Sequence, residues 1–256
     1  LERSEALGQL TEGYESVVGI AGCHGKTTIT SMLALICEQG GPDATVHIGG
    51  FVDFLNGGVR LGAHDMFITE ACEYVESFLT LRPTIALINN IDNDHLDYYG
   101  DMEHIVAAFK KFAALLPENG LLIGNTDDFR VRALMAEHTG RKLSYGMKDA
   151  DYTPANITYD DNGCPGFDIM FRGEKLMHIQ LRIPGEHSVM NAIAAAAVAR
   201  EIGADDKCIV SALNAFRNTR RRFEYYGERN GVKYYHDYGH HPSEIAATMK
   251  AASNVK

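Results

Sequence analysis

The chain has 256 residues, 45% of them apolar, and a formal net charge of -10. This is enough for a full core in one large domain, or in one domain plus part of another. The acidic balance argues against non-specific binding to nucleic acid or to a membrane surface, since both are anionic, but local lysines and helix N-termini can still hold a small anion.

Cysteines fall at 23, 37, 72, 164 and 208, odd in number and with no Cys-x-x-Cys pair. That pattern argues against a disulfide framework and against a structural zinc site. Residues 1–10 form a polar helical stretch without the basic and apolar regions of a signal peptide. No apolar run approaches the roughly 20 residues of a transmembrane helix. The expectation is a soluble, cytoplasmic protein that does not insert into membranes.

In chain order, residues 17–21 are a short β-rich run ending in glycines, and residues 27–39 carry apolar side chains at helical spacing. Runs at 66–69 and 84–91 read as strands, 102–116 as a helix with Ile105, Val106, Phe109 and Phe112 on its apolar face, and 121–124 as a strand. Near-continuous apolar strands between helices predict a parallel sheet covered on both faces. After about residue 149 the texture changes. Strands are predicted at 152–158, 167–171 and 176–183, with a hairpin turn at Asp160-Asp161-Asn162-Gly163, giving a smaller antiparallel sheet. Helices at 188–201 and 207–216 and an Arg-rich loop at 217–222 follow. A strand at 232–236 and a helix at 242–252 then begin a further α/β unit.

The strongest local signal is Gly19-Ile-Ala-Gly22-Cys23-His24-Gly25-Lys26-Thr27-Thr28, placed between a predicted strand and a predicted helix. Glycines let backbone N–H groups approach phosphates, and the helix N-terminus adds partial positive charge. Lys26 can reach the β/γ phosphates, and the Thr27 hydroxyl can ligate magnesium. The usual phosphate-loop pattern has a glycine where this chain has Ile20, so the loop is a variant of that form. Two further strands run into Glu70-Ala-Cys-Glu73 and Asp92-Asn-Asp94-His95-Leu-Asp97. Ligands of open α/β sheets sit at the carboxyl ends of strands, which would gather all three segments on one edge. A magnesium shell could draw on these acids, with Glu73 alternatively a helix-start acid and the aspartates alternatively loop caps.

These blocks together resemble the middle domain of the Mur ligase family. Further blocks agree: Pro184-Gly185-Glu-His187-Ser188-Val-Met-Asn191-Ala192, Arg221-Arg222-Phe223-Glu224, and Asp237-Tyr238-Gly239-His240-His241-Pro242. The resemblance implies that Gly22 to Thr28, with Cys23, His24, Gly25, Lys26 and Thr27, bind the phosphates of ATP. It implies that Thr27, Glu70 and His95 ligate Mg2+, with Glu73 a further candidate, and that His187 and Asn191 face adenine. Arg222 would reach the terminal phosphate and Asp237 would lie near the nucleotide; Lys26, His95 and Arg222 are the catalytic candidates. Within the family, the blocks are most similar to the branch that joins L-alanine to the carboxylate of UDP-N-acetylmuramic acid through an acyl phosphate. A branch that adds murein tripeptide to the same sugar stays open. So do a P-loop kinase or NTPase and a non-catalytic nucleotide-binding module.

The chain departs from the family at two places. Phe109 stands where several members carry a carbamylated lysine, and Ser188 stands where asparagine is usual. Residues 1–14 are expected to be the tail of a UDP-binding domain and 15–225 the ATP-binding domain. Residues 226–256 would be a linker with the first βα unit of the acceptor domain, which makes the chain an expression fragment or one part of a split protein.

Overall fold

The computed structural model describes residues 2–217, 219, 221–253 and 255, and of His64 only the backbone. Leu1 of the predicted first helix, and Asn218 and Arg220 of the predicted Arg-rich loop, lie outside the described residues.

The described residues form twelve strands and eight α-helices. The strands are β1 (Ser16–Ala21), β2 (Ala44–Val52), β3 (Gly57–Arg60), β4 (Ala63–Glu70), β5 (Ile85–Ile88), β6 (Leu121–Asn125), β7 (Arg141–Tyr145), β8 (Tyr152–Tyr159), β9 (Pro165–Phe171), β10 (Glu174–Gln180), β11 (Glu224–Arg229) and β12 (Val232–His236). The helices are α1 (Arg3–Thr11), α2 (Lys26–Glu38), α3 (Leu96–Tyr99), α4 (Met102–Ala113), α5 (Phe129–Glu137), α6 (Glu186–Glu201), α7 (Asp206–Ala215) and α8 (Pro242–Ala252).

Ten strands form one sheet in the order β10-β9-β8-β7-β6-β5-β1-β4-β2-β3, and β11 and β12 form a separate antiparallel hairpin. From β2 to β8 the neighbours run parallel, while β3, β9 and β10 are antiparallel. The antiparallel strands expected in the 152–183 region are present, and they continue the main sheet. The join is a single residue pair, Tyr145 with Tyr152.

Side chains on a strand alternate between the two faces, so strands buried on both sides need apolar residues at every position. The central strands meet this requirement. Val18, Ile20, Ile85, Leu87, Leu121 and Ile123 face the core beneath α2, α6 and α7. Ala21, Ala86, Ile88 and Leu122 face the core beneath α4 and α5. Helix α6 is buried along nearly its whole length. On the other face Phe109 and Phe112 of α4 clasp Phe78, with ring centroids 5.3 and 4.8 Å apart. Each such ring contributes about 1.5–3 kcal/mol through burial. Both sheet faces are therefore fixed, and the carboxyl ends of β1, β4 and β5, adjacent in the order β5-β1-β4, open side by side.

Candidate functional site

The loop between β1 and α2 follows from its glycines. Gly25 caps α2 with φ 86°, a left-handed conformation that disfavours any side chain with a Cβ. A Cβ there would also lie 2.5 Å from Asn89 Nδ2 and 2.7 Å from Asn191 Oδ1. Gly22 has φ 135°, and a Cβ on it would meet the backbone nitrogen of Asn90 at 3.1 Å. The loop thus lies directly on the end of β5 and on α6. Helix α2 begins at Lys26, so the N–H groups of its first turn have no acceptor within the helix and open toward the loop, the donor set a phosphate requires.

Asn89 and Asn90, just beyond β5, hold this loop. Asn90 Oδ1 accepts the His24 N–H at 2.8 Å, and both amide nitrogens donate to the His24 carbonyl, at 2.9 and 3.0 Å. The Tyr145 hydroxyl donates to Asn89 Oδ1 at 2.6 Å, tying the loop to β7. Neither asparagine is among the predicted site residues. The available signal is a pair of amides ending a wholly apolar parallel strand at the ligand-binding edge.

Lys26 lies under the loop. Its ammonium is 2.8 and 3.0 Å from the two carboxylate oxygens of Glu73 and donates to the Gly22 carbonyl at 2.5 Å. Glu73 is 1% exposed. Burial alone would lower the Lys26 pKa, but the Glu73 carboxylate overcomes it and the net shift is upward, so Lys26 remains a cation. The carbonyl of Glu73 accepts from the Tyr99 hydroxyl.

The candidate magnesium ligands fall into two groups. The Thr27 hydroxyl is 3.1 Å from Glu70 Oε2, and Glu70 Oε1 accepts the Gly49 N–H at 2.6 Å. His95, with φ 55° at the start of α3, instead approaches Glu73 at 4.0 Å and Asp94 at 3.8 Å. The compact group around His95 contains Glu73 and Asp94 and not Glu70. Hydroxyl and carboxylate oxygens suit magnesium, so Thr27 with Glu70 fits the ion by donor chemistry, while the Glu73 oxygens are engaged by Lys26.

A cavity of about 240 Å³ lies over the loop, and His24, Gly25, Thr28, Asn191, Arg222 and Asp237 are among the residues lining it. A neighbouring cavity of about 320 Å³ shares Asn89, His187 and Asn191 with it. Predicted residues from four distant segments thus meet. The neighbouring groups at the cavity wall desolvate the His187 ring and hold its pKa below the usual value, although the residue keeps exposed surface. Asp237 accepts the N–H groups of Phe223 and Gly239, both at 2.7 Å. Arg222 donates to Glu244 of α8 at 3.3 Å. Ser188 is buried and donates to the Pro184 carbonyl at 2.7 Å, so it serves the turn into α6.

Phe109 is fully buried. Lys110 and Lys111 point outward, pairing with Glu137 and Glu76. No lysine of α4 is directed at the phosphate loop.

The family model described as the Mur ligase middle domain matches residues 20–199. The chain is 43% identical over 256 residues to a UDP-N-acetylmuramate–L-alanine ligase of Clostridium beijerinckii, covering all of this chain and 56% of that protein. It is 44% identical to the protein of the same name from Alkaliphilus metalliredigens, covering 98% and 55% respectively. It therefore spans about half the length of the curated relatives it matches. Among solved structures, UDP-N-acetylmuramate-alanine ligase of Thermotoga maritima aligns with a TM-score of 0.81 at 25% identity, covering 98% of this chain and 56% of that one. A ligase of Neisseria meningitides acting with UDP-N-acetylmuramate and L-alanyl-γ-D-glutamyl-meso-diaminopimelate aligns with a TM-score of 0.75 at 27% identity, covering 85% and 71%. With the family model matched along most of its length and the loop, acid and asparagine blocks gathered at one sheet edge, the chain belongs to the Mur ligase family, of which it carries the middle domain.

Proposed function

We propose that this chain is the ATP-binding part of an ATP-dependent ligase that joins L-alanine to the carboxylate of UDP-N-acetylmuramic acid in the cytoplasm. In this reading residues 15–225 are the ATP-binding domain, 1–14 belong to a preceding UDP-binding domain, and 226–256 lead into an acceptor domain. The observation that carries it is the convergence of Gly25, Thr28, Asn191, Arg222 and Asp237 on one cavity above the phosphate loop. The two named relatives at 43% and 44% identity supply the substrates.

The chemistry is a phosphoryl transfer followed by an acyl transfer. The sugar carboxylate attacks the γ-phosphorus of ATP and ADP leaves, forming an acyl phosphate. The amine of L-alanine then attacks the carbonyl carbon, gives up a proton, and inorganic phosphate leaves. This chain contributes positioning and charge. Lys26 and the first-turn N–H groups hold the β/γ phosphates, Arg222 meets the terminal phosphate, and His187 and Asn191 take the adenine side. Thr27 and Glu70 would hold magnesium, with His95 and Glu73 completing the acid edge; when bound, the ion neutralises phosphate charge.

One observation favours a second acceptor. The Neisseria ligase, named for L-alanyl-γ-D-glutamyl-meso-diaminopimelate as its acceptor, aligns at 27% identity with 71% of its chain covered. The test is phosphate release by the longer protein containing this chain, supplied with ATP, UDP-N-acetylmuramic acid and either acceptor. Release that depends on L-alanine and is lost in Lys26→Ala supports the proposal. Dependence on tripeptide alone selects the second reading, and hydrolysis needing neither acceptor contradicts both.

A further inference from the structure

A second polar cluster lies on the other side of the phosphate loop from Glu70 and Glu73, where α8 meets the loop. His24 of the loop, Asp92 beyond β5 and His241 at the N-cap of α8 present ligand atoms that all lie within 4.8 Å of one another. His24 Nε2 is 3.1 Å and His241 Nδ1 is 3.6 Å from the same oxygen, Asp92 Oδ2. Ligands about 2.0–2.2 Å from a tetrahedral ion stand about 3.3–3.6 Å apart, so the two histidine–aspartate separations already approach edges of such a shell.

The far side of each imidazole gives an independent indication. Metal-bound histidines nearly always donate their other ring N–H to a carboxylate or a backbone carbonyl, which fixes the tautomer. His24 Nδ1 faces Glu244 Oε1 at 3.4 Å. His241 Nε2 faces the Asn93 carbonyl at 3.1 Å. His241 Nδ1 accepts the Ser243 N–H at 3.3 Å, so this nitrogen carries a lone pair and no proton, and a metal ion would take that lone pair in exchange for the Ser243 bond. Both rings are thus held with one nitrogen toward Asp92 and the other toward an acceptor. The Ser243 hydroxyl donates to Asp92 Oδ2 at 2.6 Å and so orients that carboxylate.

We propose that His24, Asp92 and His241 form a binding site for a divalent transition-metal ion of the zinc class, tying the phosphate loop to the first turn of α8. Two imidazoles and one carboxylate select zinc or cobalt over magnesium, which prefers an all-oxygen shell. The site is separate from the Thr27–Glu70 pair and the His95 group, so it does not depend on the assignment of ATP or of the acceptor. None of the cysteines takes part, which is why cysteine spacing gives no hint of it. Metal binding replaces the Ser243 cap of His241 with a ligand bond and clamps α8 over the cavity that Glu244 and Ser243 line.

The experiment is a Co2+ titration of the purified chain in millimolar Mg2+, followed by visible absorption, with Zn2+ as competitor. The proposal predicts one equivalent of Co2+ with the intense bands of a tetrahedral site, displaced by Zn2+ and untouched by Mg2+. His24→Gln and His241→Gln should each weaken binding at least tenfold. Glu244→Gln, which removes only the acceptor behind His24, should weaken it by about 10–100-fold. His95→Gln should leave it unchanged. A weak six-coordinate spectrum, a thiolate charge-transfer band, or equal affinity in the parent and in both Glu244→Gln and His241→Gln would overturn the site. Circular dichroism checks that each variant is folded, and Glu244→Gln decides the matter if His24→Gln is not.

Discussion

Lys26 has a structural duty as well as a proposed phosphate role, and the two can be separated. Its ammonium is 2.8 Å from Glu73 Oε2, with side-chain exposures of 15% and 2%. Removing one partner of a buried ion pair leaves an uncompensated charge and costs about 3–5 kcal/mol, whereas replacing both partners with neutral groups of similar volume is often nearly neutral. Lys26→Met should therefore lower stability by about 3–5 kcal/mol, and Lys26→Met with Glu73→Gln should recover most of that loss. The Tyr99 hydroxyl bonds to the Glu73 backbone and is retained in both. Urea unfolding measures the difference through the midpoint at constant slope. Nucleotide titration of the double variant supplies the second half of the prediction: stability returns and Mg-ATP binding does not. A single variant as stable as the parent would refute the buried-pair account. A double variant that binds nucleotide like the parent would refute the phosphate role.

Three further outcomes follow from local geometry. Gly25→Ala forces a Cβ into the left-handed region and against Asn89 and Asn191. It should cost about 1–2 kcal/mol in stability and more than tenfold, or about 1.4 kcal/mol, in Mg-ATP affinity by calorimetry; an unchanged affinity would contradict the cradle. Asp151 clamps the β7–β8 join: burial raises its pKa, but bonds from the Ser144 N–H and hydroxyl and from Arg172 overcome this, and the net shift is downward. A depressed carboxylate stabilises above its unfolded pKa, and that stability is lost as pH falls below it. Asp151→Asn should thus cost about 1–3 kcal/mol at pH 7 and progressively less as pH drops below the model-peptide carboxylate value of about 3.9, read from urea midpoints at both pH values; a cost independent of pH would exclude the charge. Phe109→Lys buries an ammonium where a ring packs on Phe78, so it should destabilise by about 3–5 kcal/mol and confer no gain in ligation by the longer protein; a gain would place a phosphate-side group at that position.

The parallel core was legible because Val18, Ile20, Leu87, Ile88 and Leu122 are apolar on both faces, and buried parallel strands must be. Strand β7 was not, since Arg141 and Lys142 are exposed and only Leu143 and Tyr145 are buried, too short an alternation to read. Strands β2 and β3 carry Gly49, Gly50, Gly57 and Gly58, which look like loop until sheet partners are known. Helix α5 is equally hard to read, because Arg130, Arg132 and the exposed Phe129 blur its apolar stripe. At the site, the glycine loop, Glu70, Asn191 and Arg222 carry their signal in local sequence. The pairing of His95 with Glu73 and of Thr27 with Glu70, and the approach of His241 and Glu244 to His24, depend on how distant segments fold together. Local spacing has no access to that.

The most direct measurement is a calorimetric titration of Mg-ATP into the 256-residue chain, with Lys26→Ala alongside. The account predicts saturable one-to-one binding by the parent, with heat that depends on magnesium, and none by the variant. Equal binding by parent and variant, or no binding by a folded parent, would contradict a nucleotide site built on this loop.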